Sequence, residues 1–237
     1  MSDWQIFKYA ELDSTNNNAL KLADVGQQKI VIQADQQTAG RGRRGRSWSS
    51  LAGNLFFSQV FAFDMKNIGA LVIISSLSIL QTIKDFFPQA DVSLKWPNDV
   101  LLNQAKVCGM LIEKGEGNNI IVGIGVNVAQ SPENSAMMYP TISLTEAGCN
   151  VNKDSFLQKY LQVFDENFIN WQQNNISALR QLWESYAYRL GDNIVVRQNG
   201  REESGIFGGI DENGNLLLQQ NDGIKKIIVG DVFYLGK

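Results

Sequence analysis

The sequence contains no histidine. That absence excludes a Ser-His-Asp triad, a Cys-His pair and every histidine-ligated metal site, so any chemistry must run on Lys, Arg, Asp, Glu and backbone groups. Cysteine is almost as scarce. Cys108 and Cys149 are the two, without CxxC spacing, which rules out a disulfide framework and a cysteine-ligated metal and leaves two buried structural thiols as the expectation. No stretch approaches the roughly 20 apolar residues of a membrane span, and Met1 to Lys8 lacks the charged start and apolar run of a secretory signal. A cytoplasmic protein without a membrane partner is expected. Charge of one sign is also lacking: 21 Lys and Arg against 24 Asp and Glu give a formal charge of -3. The whole molecule therefore has no electrostatic bias towards nucleic acid or anionic lipid, and any basic function must be local.

What is present is 237 residues, 44% of them hydrophobic, enough for one main domain with a small appended one. Asn16 to Ala23 has a short helical pattern with Gly26 beyond it, and Lys29 to Ala34 reads as a strand. Gln36 to Gly53 has no apolar period and reads as a long loop, a feature that is uncommon in compact domains and often functional. Asn54 to Phe63 reads as a buried strand and Ile68 to Phe87 as a long buried helix. Val92 to Lys95 and Asp99 to Leu102 suggest a hairpin around Trp96 and Pro97, followed by strands at Lys106 to Glu113 and Asn119 to Val128. From Asp154 the period is helical, with Phe156, Tyr160, Val163, Phe164 and Trp171 on one face, and a second amphipathic helix spans Ile176 to Tyr188. This order predicts an α+β fold, a mixed sheet packed with helices. After Gly191, about five short strands with turns at Asn199-Gly200, Glu212-Asn213-Gly214 and Asp222-Gly223 predict a small SH3-like β-barrel. The expected division is a catalytic domain over 1–190 and a C-terminal domain over 191–237.

Four constellations could carry chemistry. Gly40-Arg41-Gly42-Arg43-Arg44-Gly45-Arg46 holds four of the eight arginines, and no acid lies between Gln36 and Phe63. Such a segment has no internal partner for its charge, so an unliganded loop should be mobile and an anion should gather it. Its glycines let backbone approach a ligand while guanidinium forks bind phosphate or carboxylate; nucleic-acid binding is the competing use. In Lys95-Trp96-Pro97-Asn98-Asp99 the proline makes a stiff corner that fixes Asn98 and Asp99, although a plain turn would read the same way. Lys106 begins an apolar strand in which Gly109 implies a close approach; a solvent-facing lysine on an edge strand is the alternative. Gly123-Ile124-Gly125-Val126-Asn127 lacks the third glycine and the following helix of a dinucleotide fingerprint. Its glycines mean close packing, or a flat group such as adenine against the backbone with Asn127 free to read its edge. Ser14-Thr15-Asn16 is an acceptable helix N-cap whose Thr15 could still face a ligand.

Taken together and in this order, these pieces resemble the biotin protein ligases: an STN segment, a GRGRRG loop preceded by glutamine, KWPND with a lysine before a glycine, and a GxGxN strand. The resemblance spans about residues 14 to 127, and the C-terminal barrel also suits that family. It implies a catalytic domain related in fold to class II aminoacyl-tRNA synthetases. It also implies ATP and magnesium, biotin as substrate, and the biotin carboxyl carrier protein of acetyl-CoA carboxylase as acceptor. The implied biotin-binding set is Ser14, Thr15, Asn16, Gln37, Gly40, Arg41, Gly42, Arg43, Lys106 and Gly109. The implied nucleotide-binding set is Arg41, Arg43, Arg44, Arg46, Trp48, Lys95, Asn98 and Asn127. Lys106, Arg43 and Asp99 are implied as catalytic, with Asp99 orienting either magnesium or the attacking amine, and no metal ligand is assigned. Cys108 stands where the family usually has a small residue such as alanine, which should alter the pocket wall slightly. Because these motifs begin within fifteen residues of Met1, a monofunctional ligase without the DNA-binding domain of larger members, monomeric or homodimeric, is expected. A lipoate protein ligase shares the chemistry but lacks GRGRRG and KWPND; an RNA-binding module using the Gly/Arg loop is the reading from a different class.

Overall fold

Alternation of side chains across the strands decides the architecture of this computed structural model, which describes residues 3–21, 29–133, 139–174, 176–198 and 200–234. Seven strands form the main sheet: β1 (Gln5–Leu12), β2 (Ile30–Gln37), β3 (Leu55–Ala62), β4 (Val92–Lys95), β5 (Asp99–Leu102), β6 (Ala105–Lys114) and β7 (Asn119–Val126). Their order is β1-β2-β3-β7-β6-β5-β4. β1 runs parallel to β2 and the other neighbours are antiparallel, so the sheet is mixed. Successive residues point to opposite faces. Val31, Leu55, Phe57, Ile120, Val122, Ile124 and Val126 therefore enter the large core. Ile30, Ile32, Val60 and Ile121 form a smaller cluster with Ala19 of helix α1 (Thr15–Lys21).

Helices α2 (Ile68–Phe86) and α3 (Lys153–Asn174) cover the large-core face. The apolar period of α3 buries Phe156, Tyr160, Val163 and Phe164, as its spacing predicts, with Trp171 half-buried beside them. By length and composition the segment Met65–Phe86 could cross a membrane, contrary to the expectation that no stretch approaches that length. Its side chains are mostly buried inside this fold, however, which is the other use of a long apolar helix. Helix α4 (Ser177–Ser185) stops short of Tyr188. There the chain leaves the helix and makes an isolated bridge at Ala187, so that Tyr186 O and Tyr188 N pair with Leu94 and satisfy the exposed edge of β4. The expected extension of α1 through Ala23 and the glycine at 26 lie outside the described residues.

A second, antiparallel sheet follows: β8 (Asn193–Gln198), β9 (Arg201–Ile210), β10 (Leu216–Gln220), β11 (Gly223–Ile227) and β12 (Asp231–Tyr234), in the order β11-β10-β9-β8-β12. This matches the expected small barrel-like unit. Its Asp211–Gly214 turn reaches the main body, where Trp96 Nε1 donates to Gly214 O at 2.9 Å. The proposed hairpin residue Asn199 lies outside the described residues.

The aromatic cluster behind the sheet is centred on Phe61, which meets Trp4, Phe63, Phe164 and Phe168 at centroid distances of 5.6 to 6.1 Å. Removing that ring leaves a cavity among rigid neighbours. Phe61→Ala is expected to lower stability by about 3–5 kcal/mol, read as a shift in the urea midpoint at constant slope. A loss below about 1 kcal/mol would show that the cluster collapses around the gap.

Candidate active site

Alternation also decides what the other face of the sheet offers. Residues 121, 123, 125 and 127 of β7 and its exit point away from the large core, and two of these positions are glycine. Gly109 of β6 is the register partner of Gly125, so two facing glycines leave a bare patch in the middle of the sheet. Trp48 lies on it. A Cβ at Gly125 would come within 2.4 Å of the Trp48 ring, and one at Gly109 within 2.8 Å. The floor of the site therefore exists only because these positions carry no side chain, and the flat group against it is a residue of the chain. The Trp48 indole N–H is buried with no hydrogen-bond partner among the described residues.

Lys106 reaches this face by a bulge. Strict alternation back from Gly109 would point Lys106 into the large core. The register between β5 and β6 shifts so that Val100 pairs with Cys108 but Leu101 with Lys106. The extra residue, Val107, turns inward and re-aims Lys106 to the cavity. There its Nζ lies 2.7 Å from Asp99 Oδ1 and 5.3 Å from the Trp48 ring centroid. β6 is an interior strand, so the edge-strand reading of Lys106 is corrected. Cys108 faces the core rather than the pocket wall, which corrects its expected influence on the pocket; burial there raises its thiol pKa far above the ordinary range.

At one end of the cavity a polar network is packed against the glycine strand. Thr15 donates its backbone N–H and hydroxyl to Gln37 Oε1 at 2.9 and 3.2 Å. Ser58 Oγ lies 2.8 Å from Thr15 Oγ1 and 2.5 Å from Asn16 Oδ1. The Asn16 amide donates to Glu113 Oε2 at 2.8 Å, and its oxygen fills the place where Gly123 would carry a Cβ. Ser14 caps the arrangement through its backbone oxygen, which accepts from Asn18 N at 3.0 Å.

The Gly/Arg segment is a small hairpin rather than an unstructured loop, and Gln36 and Gln37 belong to β2. Arg41 bridges Ser47, Gly42 N donates to Arg46 O and Trp48 N to Gly40 O. The tip is a single 3-10 turn over Arg43–Gly45, with Arg44 and Gly45 at φ 55° and 71°. The segment has no internal acid, as expected, and its acidic partners come instead from distant strands. Arg41 pairs with Glu113, while Arg44 and Arg46 share Asp231 of β12 at 2.6 and 2.9 Å. Arg43 donates to Asn98 Oδ1 at 3.1 Å, and its burial lowers its pKa.

The turn between β4 and β5, which includes a cis Trp96-Pro97 peptide, supplies the opposite wall. Lys95 there is buried, with Nζ 3.0 Å from the Tyr139 ring centroid. No carboxylate among the described residues forms an ion pair with it, and burial pushes its pKa down to about 8. Asn127 donates its side-chain NH2 to Lys106 O and Ile142 O at 3.4 and 3.2 Å, which ties the exit of β7 to β6 and to the segment after Pro140.

These walls enclose a cavity of about 450 Å³. Ser14, Thr15, Asn16, Gln37, Arg41, Gly42, Arg43, Arg46, Trp48, Lys95, Asn98, Asp99, Lys106, Gly109 and Asn127 all line it, whereas Gly40 and Arg44 do not. Sequence reasoning missed Ser58, Glu113, Tyr139 and Asp231. Ser58 alone left a signal, as a polar residue inside an apolar strand.

Comparison with known proteins agrees with this geometry. Residues 9–127 match the model of the biotin/lipoate A/B protein ligase family, and residues 190–235 that of the biotin protein ligase C-terminal domain. The chain is 36% identical to a biotin–[acetyl-CoA-carboxylase] ligase of Paracoccus denitrificans over 96% of this chain and 99% of the relative. It is 33% identical to the bifunctional ligase/repressor BirA of Bacillus subtilis, over 93% of this chain and 71% of that protein. A solved biotin protein ligase from Aquifex aeolicus, in complex with biotin and ATP, superposes with a TM-score of 0.84 at 31% identity and 97% coverage of both chains. The chain belongs to the biotin protein ligase family.

Proposed function

We propose that this chain joins biotin to ATP as biotinyl adenylate, releasing pyrophosphate, and then passes the biotinyl group to a specific lysine of the biotin carboxyl carrier protein of acetyl-CoA carboxylase. The observation that carries this reading is the gathering of Lys95, Lys106, Arg43 and Arg46 around one cavity whose far end is the Thr15–Gln37 network. A carboxylate attacking the α-phosphorus brings anions together, and positioned cations stabilise the charge that grows. Lys106 is the cation for the biotin carboxylate and α-phosphate, and Asp99 holds its ammonium in place. Arg43 covers the adenylate, Trp48 packs beside adenine, and Ser14, Thr15 and Gln37 meet the polar ring of biotin.

Magnesium enters as part of the ATP substrate. Among the described residues no three acids are gathered, Asp99 is paired with Lys106, and Asp231 with two arginines. The described residues offer no cage, which suits an ion that keeps phosphate oxygens and water as its ligands. In the second step the carrier lysine, with an unperturbed pKa of about 10.4, loses its proton, its nitrogen bonds to the acyl carbon, and AMP leaves with the electron pair of the broken anhydride bond. The division into a catalytic unit over 1–190 and a C-terminal unit over 191–237 is supported by the start of the second sheet at Asn193.

Lys106→Ala is expected to lower biotin-dependent pyrophosphate release about a hundredfold or more, the cost of one charge at the reacting centre, with the thermal midpoint nearly unchanged. Near-normal release would remove Lys106 from the mechanism, and release driven by lipoate but not biotin would overturn the substrate assignment.

Arg43→Gly should still form adenylate but hold it poorly, losing one or two charge-assisted bonds of about 1.5–3 kcal/mol each. Escaped mixed anhydride acylates free amines, so albumin incubated with this variant, biotin and ATP should become labelled on a streptavidin blot. An unchanged adenylate off-rate would show that Arg43 is not the cover.

Lys95 makes ATP binding depend on pH. Its folded pKa, about 8, lies below the ordinary 10.5, so the free enzyme loses this charge as pH rises through 8 while ATP phosphates favour keeping it. The KM for ATP should rise between pH 7 and 9, and Lys95→Arg should flatten that rise. By the same linkage the unfolded chain binds more protons than the folded one between about 8 and 10.5, so this residue's contribution to stability increases with pH there. A KM profile identical in parent and variant would exclude Lys95 as the titrating group.

A further inference from the structure

Asp231 is the first residue of β12, in the C-terminal sheet, yet it lines the cavity of the main domain. Both of its carboxylate oxygens are taken by the arginine hairpin, Oδ2 by Arg44 Nη1 at 2.6 Å and Oδ1 by Arg46 Nη2 at 2.9 Å. Arg44 also donates to the backbone of Arg197, the register partner of Asp231 in β8. A second, independent feature lies at the same place. Arg44 has φ 55° and ψ 39°, a left-handed conformation that a residue with a Cβ adopts at a cost of about 1 kcal/mol or more unless its surroundings over-determine it. Here the side chain of that strained residue is one of the two that reach Asp231 of β12.

The strain has a consequence for its neighbour. Arg43 precedes Arg44 at the tip of the hairpin, and its guanidinium lies across the cavity on Asn98. With Arg44 and Arg46 drawn to one side by Asp231, the tip cannot rotate without breaking two ion pairs, and Arg43 is left directed at the wall formed by Asn98 and Asp99. The exposed fraction of the three charged side chains, 32%, 44% and 19%, places the pairs at the rim, where each is weak alone. Two arginines on one carboxylate restrain a turn more than either does singly.

We infer that Asp231 is a positioning residue for adenylate retention: a C-terminal anion that anchors the arginine hairpin of the catalytic sheet and thereby sets Arg43 over the ligand. The inference rests on the biotinyl-adenylate reading for its functional half only. The opposite arrangement, in which Asp231 is a decoy that keeps Arg44 and Arg46 from the ligand's phosphate, predicts the reverse sign.

The test compares the full-length parent with Asp231→Asn and Asp231→Glu. Without any ligand, trypsin cleavage within Arg43–Arg46 should be about tenfold faster in Asp231→Asn, and near parental in Asp231→Glu. With biotin and ATP, the adenylate off-rate and the labelling of albumin should both rise about tenfold in Asp231→Asn, while the thermal midpoint stays within a few degrees of the parent. In an Arg44→Gln/Arg46→Gln background, Asp231→Asn should change the off-rate no further, because its action passes through those two side chains. Unchanged cleavage overturns the anchor, and an unchanged or slower off-rate overturns the positioning role, the slower one in favour of the decoy. Should the parent itself form no biotinyl adenylate, the functional reading fails instead, and the ligand-free cleavage still decides whether Asp231 anchors the hairpin.

Discussion

Gly109 and Gly125 face each other across β6 and β7, and the cavity depends on the side chains that are missing there. A Cβ at either position would strike Trp48, and one at Gly123 would strike Asn16, so the three glycines fix how deep the cavity floor lies. From that depth follow the other placements. Trp48 can lie flat only because the floor is bare, and the hairpin that carries it must then cross the sheet at a fixed height. Thr15 and Asn16 can enter the same face from the start of α1 because Ser58 and Gln37 receive them. The large apolar core on the opposite face holds the sheet rigid enough for these close approaches to persist.

Charge is the second constraint, and the chain resolves it by pairing across distance. Six cationic side chains, Arg41, Arg43, Arg44, Arg46, Lys95 and Lys106, surround or border one site, and their mutual repulsion is offset by three acids from three strands. Glu113 of β6 takes Arg41, Asp99 of β5 takes Lys106, and Asp231 of β12 takes two arginines. Lys95 is left to an aromatic ring, and the cost of that burial shows in its depressed pKa. A polyphosphate entering such a site meets cations already oriented, so little reorganisation is needed when charge develops.

Features that depend on neighbours in sequence were legible before the structure. Trp96 and Pro97 between two short apolar runs give the β4–β5 hairpin, and the helical period of Phe156, Tyr160 and Phe164 gives the buried face of α3. The order of four motifs located the site because each lies on an element that ends at the cavity. Features set by partners far along the chain were not legible. Arg44 and Asp231 are 187 residues apart, and a local reading of Gln36 to Phe63 sees an arginine run with no acid. The face of Cys108 was misjudged because standing beside Gly109 was taken to bring it to the pocket wall, whereas alternation from Gly109 turns it into the core; it is the face of Lys106 that the bulge at Val107 changes, which alternation alone has no means of registering. The end of α4 was misplaced since the edge of β4, rather than any helix-breaking residue, takes Tyr186 O and Tyr188 N as hydrogen-bond partners.

The same bulge explains why a lysine can serve in a strand that is otherwise apolar. Had β6 kept strict alternation, Lys106 would point into the large core, where an unpaired ammonium costs several kcal/mol. One inserted residue exchanges its position with Val107, so that the valine enters the core and the lysine meets Asp99 at 2.7 Å. The bulge also leaves Lys106 O and Val107 O to be satisfied outside the ladder. Asn127 donates its backbone N–H to Val107 O at 2.8 Å, and Lys106 O accepts from Ile142 N at 3.1 Å and from the Asn127 side-chain amide at 3.4 Å. The asparagine of the glycine strand therefore acts on the chemistry at one remove. It stabilises the irregularity that places the lysine, which is a physical reason for a polar residue at a position buried to 2% exposure that carries no ligand-facing amide hydrogen to spare.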